Sequence, residues 1–192
     1  MEYHIKTITN IVQTNIDEEA EGWDEKSRWA RGSAQYGDRM RRVIRYCLHT
    51  WPGDLVEIGA MAGGMTSMLA EIAQDRQVIA IDPWETGTQN CAGWEYEAYL
   101  KNTKAFENIE TLRMKSQDKG AFDYLKDREL CFALVDGRHT YEACQSDLQL
   151  VAHAPLIAVD DIGWNTDVER AFVEFGRTMI RSSLCKEGYL IG

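Results

Sequence analysis

Paired cysteines, long apolar runs and an excess of basic charge are all missing from this chain of 192 residues. Its five cysteines, Cys47, Cys91, Cys131, Cys144 and Cys185, are far apart, odd in number and contain no C-x-x-C pair. That argues against a disulfide framework and a thiolate zinc site, and places Cys131 and Cys144 as reduced thiols in or near core elements. No run approaches the length of a transmembrane helix, and the N-terminal MEYHIKTITNIV lacks the apolar centre of a signal peptide. The expectation is a cytoplasmic protein with no membrane partner. Basic residues are few: 21 Lys and Arg against 31 Asp and Glu leave a net charge of −10. A surface that acidic argues against nucleic acid, which selects basic faces. Internal repeats, low-complexity segments and linkers are absent as well, so the chain reads as one domain with a sizeable core.

What is present is organised around residues 54–82, DLVEIGAMAGGMTSMLAEIAQDRQVIAID. Leu55, Val56 and Ile58 form an apolar run. Small residues follow at once: Gly59, Ala60, Ala62, Gly63 and Gly64. Met65, Met68, Leu69 and Ile72 then recur at helical spacing, and Val78–Ile81 is a second apolar run ending on Asp82. This is strand, glycine-rich turn, helix, strand. Small residues in such a turn let a ligand approach the backbone and the helix N-terminus. An acid roughly 20 residues after the glycines, at the end of the second strand, can accept the hydroxyls of a ribose. The other reading is an ordinary tight turn with an acidic end. The NAD fingerprint needs G-x-G-x-x-G, and Met61 stands where its second glycine belongs.

Strands alternate with helices along the rest of the chain. Helices are expected over Arg39–His49, Thr66–Ala73, Glu95–Phe106, Phe122–Leu125, Tyr141–Val151 and Val168–Ile180. Further strands are expected over Ile109–Met114, Leu130–Val135 and Leu156–Val159, with Gly188–Ile191 as a final edge strand. That pattern predicts an α/β protein: a single-domain, Rossmann-like, doubly wound, mostly parallel sheet with helices on both faces. Residues 51–192 form the core of the domain and residues 1–50 an N-terminal helical segment packed on it. Met1–Ala20 shows no strong period and reads as a lead-in or oligomer contact. The aromatic and charged stretch Trp23–Tyr36 reads either as a lid over the ligand edge or as a helix packed through its tryptophans. Trp84 either stacks near an adenine or sits in the core. Ser116, just past the third strand, is a candidate for meeting an adenine.

Three further acids end neighbouring strands: Asp136, and the pair Asp160-Asp161. Crowded carboxylates repel unless a cation sits among them, and hard oxygen ligands at this density suit Mg²⁺. The alternative is that strand-end acids cap helices, with Asp161 as the cap. A divalent ion makes a bound hydroxyl a better nucleophile. His139, three residues past Asp136, has the chemistry of a general base, or else only hydrogen-bonds its own loop.

These motifs together resemble a known family. Glu57-x-Gly59-x-x-x-Gly63 resembles motif I of class I S-adenosylmethionine-dependent methyltransferases. Pro52-Gly53-Asp54-Leu55-Val56-Glu57-Ile58-Gly59, then Asp136-Gly137-x-His139-x-Tyr141 with a downstream Asp147, then Asp160-Asp161, is similar to the metal-dependent macrocin and mycinamicin sugar O-methyltransferases. Trp164 with Val168-Glu169-Arg170-Ala171-Phe172 resembles the helix that follows in that group. The resemblance runs from Pro52 to Phe175. It implies Mg²⁺ on Asp136, Asp160 and Asp161, and His139 as the base. It places S-adenosylmethionine on the turn at Glu57, Gly59, Ala60, Met61, Gly63 and Gly64, with Asp82, Trp84, Ser116 and Asp136 around it. The activity implied is methyl transfer to a hydroxyl of a small molecule, a sugar or phenolic natural-product precursor, in a homo-oligomer. Metal-independent N- or carboxyl methylation and a non-enzymatic nucleotide-binding role are the alternatives. The chain departs from the pattern in having His153-Ala154-Pro155 where a glycine pair usually precedes the fifth strand.

Overall fold

Apolar runs, interrupted only by the buried Glu57 in the first, form the central strands of the sheet. In the computed structural model these are β1 (Asp54–Ile58), β2 (Val78–Ile81), β4 (Leu130–Val135) and β5 (Leu156–Val159), with β3 (Ile109–Leu112) outside β2. The structure describes residues 1–13, 33–86, 92–181 and 187–192, with the backbone alone for 33–38. Most of the expected Trp23–Tyr36 segment, and Cys91 and Cys185, lie outside the described residues. The strand order is β3-β2-β1-β4-β5-β7-β6, where β6 is Thr178–Arg181 and β7 is Gly188–Ile191. The first five strands run parallel, and β7 pairs antiparallel with both β5 and β6. This is the doubly wound α/β fold the alternation predicts.

Helices cover both faces. On one face α1 (Glu2–Gln13), α2 (Ser33–Thr50) and α3 (Gly64–Ala73) bury Ile8, Val12, Met40, Ile44 and Leu69 against Leu55, Phe132 and Leu134. On the other, α5 (Lys119–Leu125), α6 (Tyr141–Leu150) and α7 (Thr166–Glu174) bury Leu125, Leu148 and Phe172 against Val56, Ile79 and Ile157. Each large side chain so buried contributes about 2 kcal/mol before entropy is counted. Cys47, Cys131 and Cys144 are free thiols buried in these layers. One more helix, α4 (Glu95–Thr103), supports the turn after β1. Arg76 ties the layers together: its guanidinium donates to the carbonyls of Leu48, Trp51 and Gly53, the end of α2 and the entry to β1. Among the described residues, no helix is long and apolar enough to cross a membrane.

Three expectations need correction. Met1–Ala20 contains a regular helix, α1, whose Ile8 and Val12 are fully buried. The helix expected over Val168–Ile180 stops at Glu174, and Thr178–Arg181 is a strand. Gly176, at φ +82°, turns the chain between them, a conformation that ends helices. Gly188–Ile191 is not the edge strand: it lies between β5 and β6 and is buried throughout, so β6 forms the edge.

Candidate active site

The turn that follows β1 is held by hydrogen bonds from β2 and the residues just past it, from α4 and from within itself. The Gly59 amide donates to the Ile81 carbonyl at 2.9 Å and the Gly63 amide to the Ala60 carbonyl at 2.7 Å. Asp82, at the end of β2, accepts the Met61 amide at 2.9 Å on one carboxylate oxygen and the Trp84 amide at 2.8 Å on the other. The Asn102 side-chain amide, from α4, donates to the Ala62 carbonyl at 2.8 Å. Trp84 donates its indole N–H to the Met61 carbonyl at 2.6 Å. Its ring is 4 % exposed and packs on Tyr96 and Tyr99, with centroids 4.9 and 4.6 Å away. Of the two readings of Trp84, burial favours the core one: it braces the turn from below.

The glycines of the turn answer first to the chain itself. Gly59 has φ +95°, and a Cβ there would fall 1.9 Å from the backbone carbonyl oxygen of Asp136. A Cβ on Gly63, at φ +75°, would meet Tyr99 at 2.8 Å. Glycine is required because the ends of β1 and β4 touch, which the sequence alone attributed to ligand approach. Met61, at the position that separates this turn from the NAD fingerprint, has φ +45°, a cost the Asp82 and Trp84 hydrogen bonds offset. Beneath the turn, Glu57 is buried and accepts the Thr66 hydroxyl of α3 at 2.5 Å. Burial pushes its carboxyl up to about 8 despite that hydrogen bond.

At the ends of β4 and β5 a second group converges. His139 Nε2 lies 3.4 Å from Asp136 Oδ1 and 3.3 Å from Asp161 Oδ2. One ligand atom from each of Asp136, His139 and Asp161 falls within 4.8 Å of the others. Asp160 is buried and lines the same small crevice as Asp136, Arg138 and His139. The close group therefore pairs His139 with Asp136 and Asp161, with Asp160 on the wall beside them. Two carboxylates and an imidazole nitrogen at this spacing are a donor set that suits a divalent cation. The Asp136 carboxylate hydrogen-bonded to His139 raises the imidazole pKa above its ordinary value. Burial opposes this, and Asp161 and Asp160 add to it.

Local sequence explains the placement. Thr140 caps α6, accepting the Ala143 amide. Asn165 caps α7, accepting the Asp167 and Val168 amides, and its side-chain amide donates to the His139 carbonyl at 3.3 Å. Asp161 is thus not the cap of the last helix. It sits at φ +57°, and its carbonyl accepts the Trp164 and Asn165 amides.

Ser116, past β3, donates to Asp147 Oδ1 at 2.5 Å, and the Gln117 side-chain amide donates to the same oxygen at 2.8 Å. Gln117 and Thr66 are residues the sequence reading missed. A Ser-Gln pair just past a strand, and a hydroxyl nine residues after a strand acid, were the available signals. Asp147 is buried, and among the described residues its Oδ2 has no hydrogen-bond partner. Gly137 covers that oxygen: a Cβ at Gly137 would lie 2.7 Å from it. Burial pushes the Asp147 carboxyl up to about 7, against its two donors.

This makes stability depend on pH. A carboxyl raised in the folded state stabilises fully below its unfolded pKa, about 3.9, and that contribution is lost as pH rises through about 7. Asp147→Asn removes the titration. Between pH 5 and pH 8 the variant is expected to gain on the native chain by roughly 2–3 kcal/mol. Thermal melts of both proteins at the two pH values measure it, and a difference independent of pH would contradict it.

The comparisons with known proteins agree with this fold. A family profile described as "Methyltransferase domain" matches residues 56–160, from β1 to the end of β5. Among curated proteins none matches the chain in sequence. Among solved structures, the chain is similar to a caffeoyl-CoA O-methyltransferase-like protein from Staphylococcus aureus, at 13% identity and a TM-score of 0.64, covering 100% of this chain and 98% of that one. It is similar to TomG, an O-methyltransferase of tomaymycin synthesis from Streptomyces achromogenes, at 13% identity and 0.58, covering 90% and 92%. It is also similar to CalS11, a TDP-rhamnose 3'-O-methyltransferase of calicheamicin biosynthesis, at 12% identity and 0.58, covering 99% and 93%. At these identities the likenesses speak for the fold, and the profile match speaks for the family. A matched profile that spans the glycine turn and the strand-end acids Asp82, Asp136 and Asp160, on a sheet of this order, makes the chain a member of the methyltransferase-domain family, a class I S-adenosylmethionine-dependent methyltransferase.

Proposed function

We propose that this protein methylates a hydroxyl of a small molecule, with S-adenosylmethionine as donor and a divalent cation, Mg²⁺, at Asp136, Asp160 and Asp161. The observation that carries the reading is the convergence of His139 with two strand-end carboxylates beside the donor turn. S-adenosylmethionine supplies an activated methyl on a sulfonium. Gly59, Ala60, Met61, Gly63 and Gly64 would shape its pocket, Glu57 would support the turn from beneath, Asp82 would take the ribose hydroxyls beside the two amides it already accepts, and Ser116 would meet the adenine. A cation among the carboxylates supplies Lewis-acid stabilisation to the acceptor oxygen. His139 takes the hydroxyl proton on its neutral Nε2, while Asp136 and Asp161 stabilise the imidazolium that results. The oxygen then bonds to the methyl carbon, the carbon–sulfur bond breaks, and S-adenosylhomocysteine leaves. The protein's own contribution is alignment and proton removal.

The acceptor is a sugar or phenolic precursor in this reading. It is supported by similar folds in proteins named for TDP-rhamnose 3'-O-methylation and caffeoyl-CoA O-methylation. One geometric feature favours a second reading. His139 already contacts both carboxylates, an arrangement that can raise its basicity without a cation. The test incubates the protein with methyl-labelled donor and a hydroxyl-compound panel, with Mg²⁺ or with EDTA. Label transfer that EDTA abolishes and Mg²⁺ restores is expected. EDTA-resistant transfer replaces the proposal with the metal-free reading, and no binding of S-adenosylhomocysteine by calorimetry overturns both.

A further inference from the structure

Trp164 is the most exposed tryptophan among the described residues, at 72 %, although its neighbours in the chain are built into the site. Four features place it. It follows Asp161 by three residues, in a tight turn closed by its own amide on the Asp161 carbonyl at 3.2 Å. That turn uses two left-handed residues, Asp161 at φ +57° and Gly163 at φ +80°. The next residue, Asn165, is tied to the His139 carbonyl. The indole stands at 89° to the His139 imidazole, with the centroids 6.2 Å apart. A single exposed apolar residue on an open surface is ordinary. One held by the same turn that carries a carboxylate of the base cluster is in a different position. The chain accepts two left-handed residues and leaves a large apolar ring in water beside His139.

We propose that Trp164 is the acceptor platform: a cyclic, hydroxylated acceptor lies with its apolar face on the indole and turns an edge hydroxyl toward His139. The chemistry follows from the parts. An indole face attracts the C–H face of a sugar ring or the π face of an aryl ring, while it has little to offer an open-chain hydroxyl. A ring stacked there keeps its hydroxyls at its rim, near the imidazole and the Asp136 and Asp161 carboxylates. Trp164 thereby selects for ring shape, and His139 acts on whichever rim hydroxyl the stacking presents. This deepens the proposed function and rests on it.

The test uses the full chain loaded with S-adenosylhomocysteine and Mg²⁺. Saturation-transfer NMR is recorded with three probes at millimolar concentration: methyl α-rhamnopyranoside, catechol and glycerol. Transfer to the ring protons of at least one cyclic probe, and none to glycerol, is expected for the native protein. Trp164→Ala should reduce that transfer at least fivefold and Trp164→Phe should restore most of it. Calorimetry should give both variants the native affinity for S-adenosylhomocysteine, within about twofold. Equal transfer in native and Trp164→Ala proteins overturns the platform, as does no transfer to either ring in the native protein or equal transfer to glycerol. Loss of S-adenosylhomocysteine binding by the native protein marks failure of the underlying reading instead.

Discussion

His139→Ala is expected to lower the rate of methyl transfer by roughly 10²- to 10⁴-fold, the range that removal of a general base produces. The imidazole lies within 3.4 Å of Asp136 and 3.3 Å of Asp161, meets the exposed Trp164 ring at its edge and belongs to none of the buried apolar clusters, so its loss leaves the sheet intact. Melting temperature should change little, and S-adenosylhomocysteine should bind the variant within about twofold of native, since Glu57 lies on β1 and Asp82 and Ser116 lie just past β2 and β3. Added imidazole should return part of the activity. The measurement is kcat under saturating donor, with calorimetry alongside. A variant within about threefold of native kcat would remove His139 from the reaction.

Gly59→Ala carries the largest expected effect on stability. Two costs add at one position: φ +95°, and a Cβ 1.9 Å from the Asp136 carbonyl oxygen. The second cannot be relieved by a rotamer change, because the atom struck is backbone held by the Asp136 amide on the Ile58 carbonyl at 2.9 Å. The turn or the end of β4 must move. A loss of at least about 3 kcal/mol is expected, or on the order of 6–12 °C in melting temperature for a chain of this size. Gly176→Ala separates the two costs. Gly176 has φ +82° but nothing within 4 Å of the added Cβ, so about 1 kcal/mol is expected there. Melts of the two variants side by side are the check. Equal losses would mean that the contact between the donor turn and Asp136 yields easily. Because Gly59 touches the backbone of Asp136, its replacement should also weaken donor binding, whereas Gly176→Ala should not.

Much of this molecule is legible in the order of its residues. β2, β4 and β5 are apolar runs bounded by acids or turns, and β1 is one but for the buried Glu57, because strands covered on both faces have no solvent side to mark with polar residues. The strand-end acids Asp82, Asp136 and Asp160-Asp161 are visible for the same reason: each is the first charge after a buried run. The segment 168–181 was not legible. Val168, Ala171, Phe172, Phe175 and Met179 keep a helical spacing past Gly176, and only the left-handed turn there decides that the chain leaves the helix for β6. The helix α1 was less visible, because its apolar stripe, Ile5, Ile8, Ile11 and Val12, is short and does not continue through the rest of Met1–Ala20.

The alternation of strands and helices, the glycine turn with its acid, and the residue types that gather at one edge can all be read along the chain, since they follow from local periodicity and from where charge is permitted. Packing between distant segments is what shows that Gly59 is demanded by the Asp136 carbonyl, that Asp82 spends both oxygens on the turn's own amides, and that Trp84 is covered. It also shows that His139 stands between Asp136 and Asp161, and that Ser116 and Gln117 meet on a buried Asp147. These are contacts between residues up to 77 positions apart, from Gly59 to Asp136, and their distances are set by how the sheet orders and twists its strands, which no local pattern encodes.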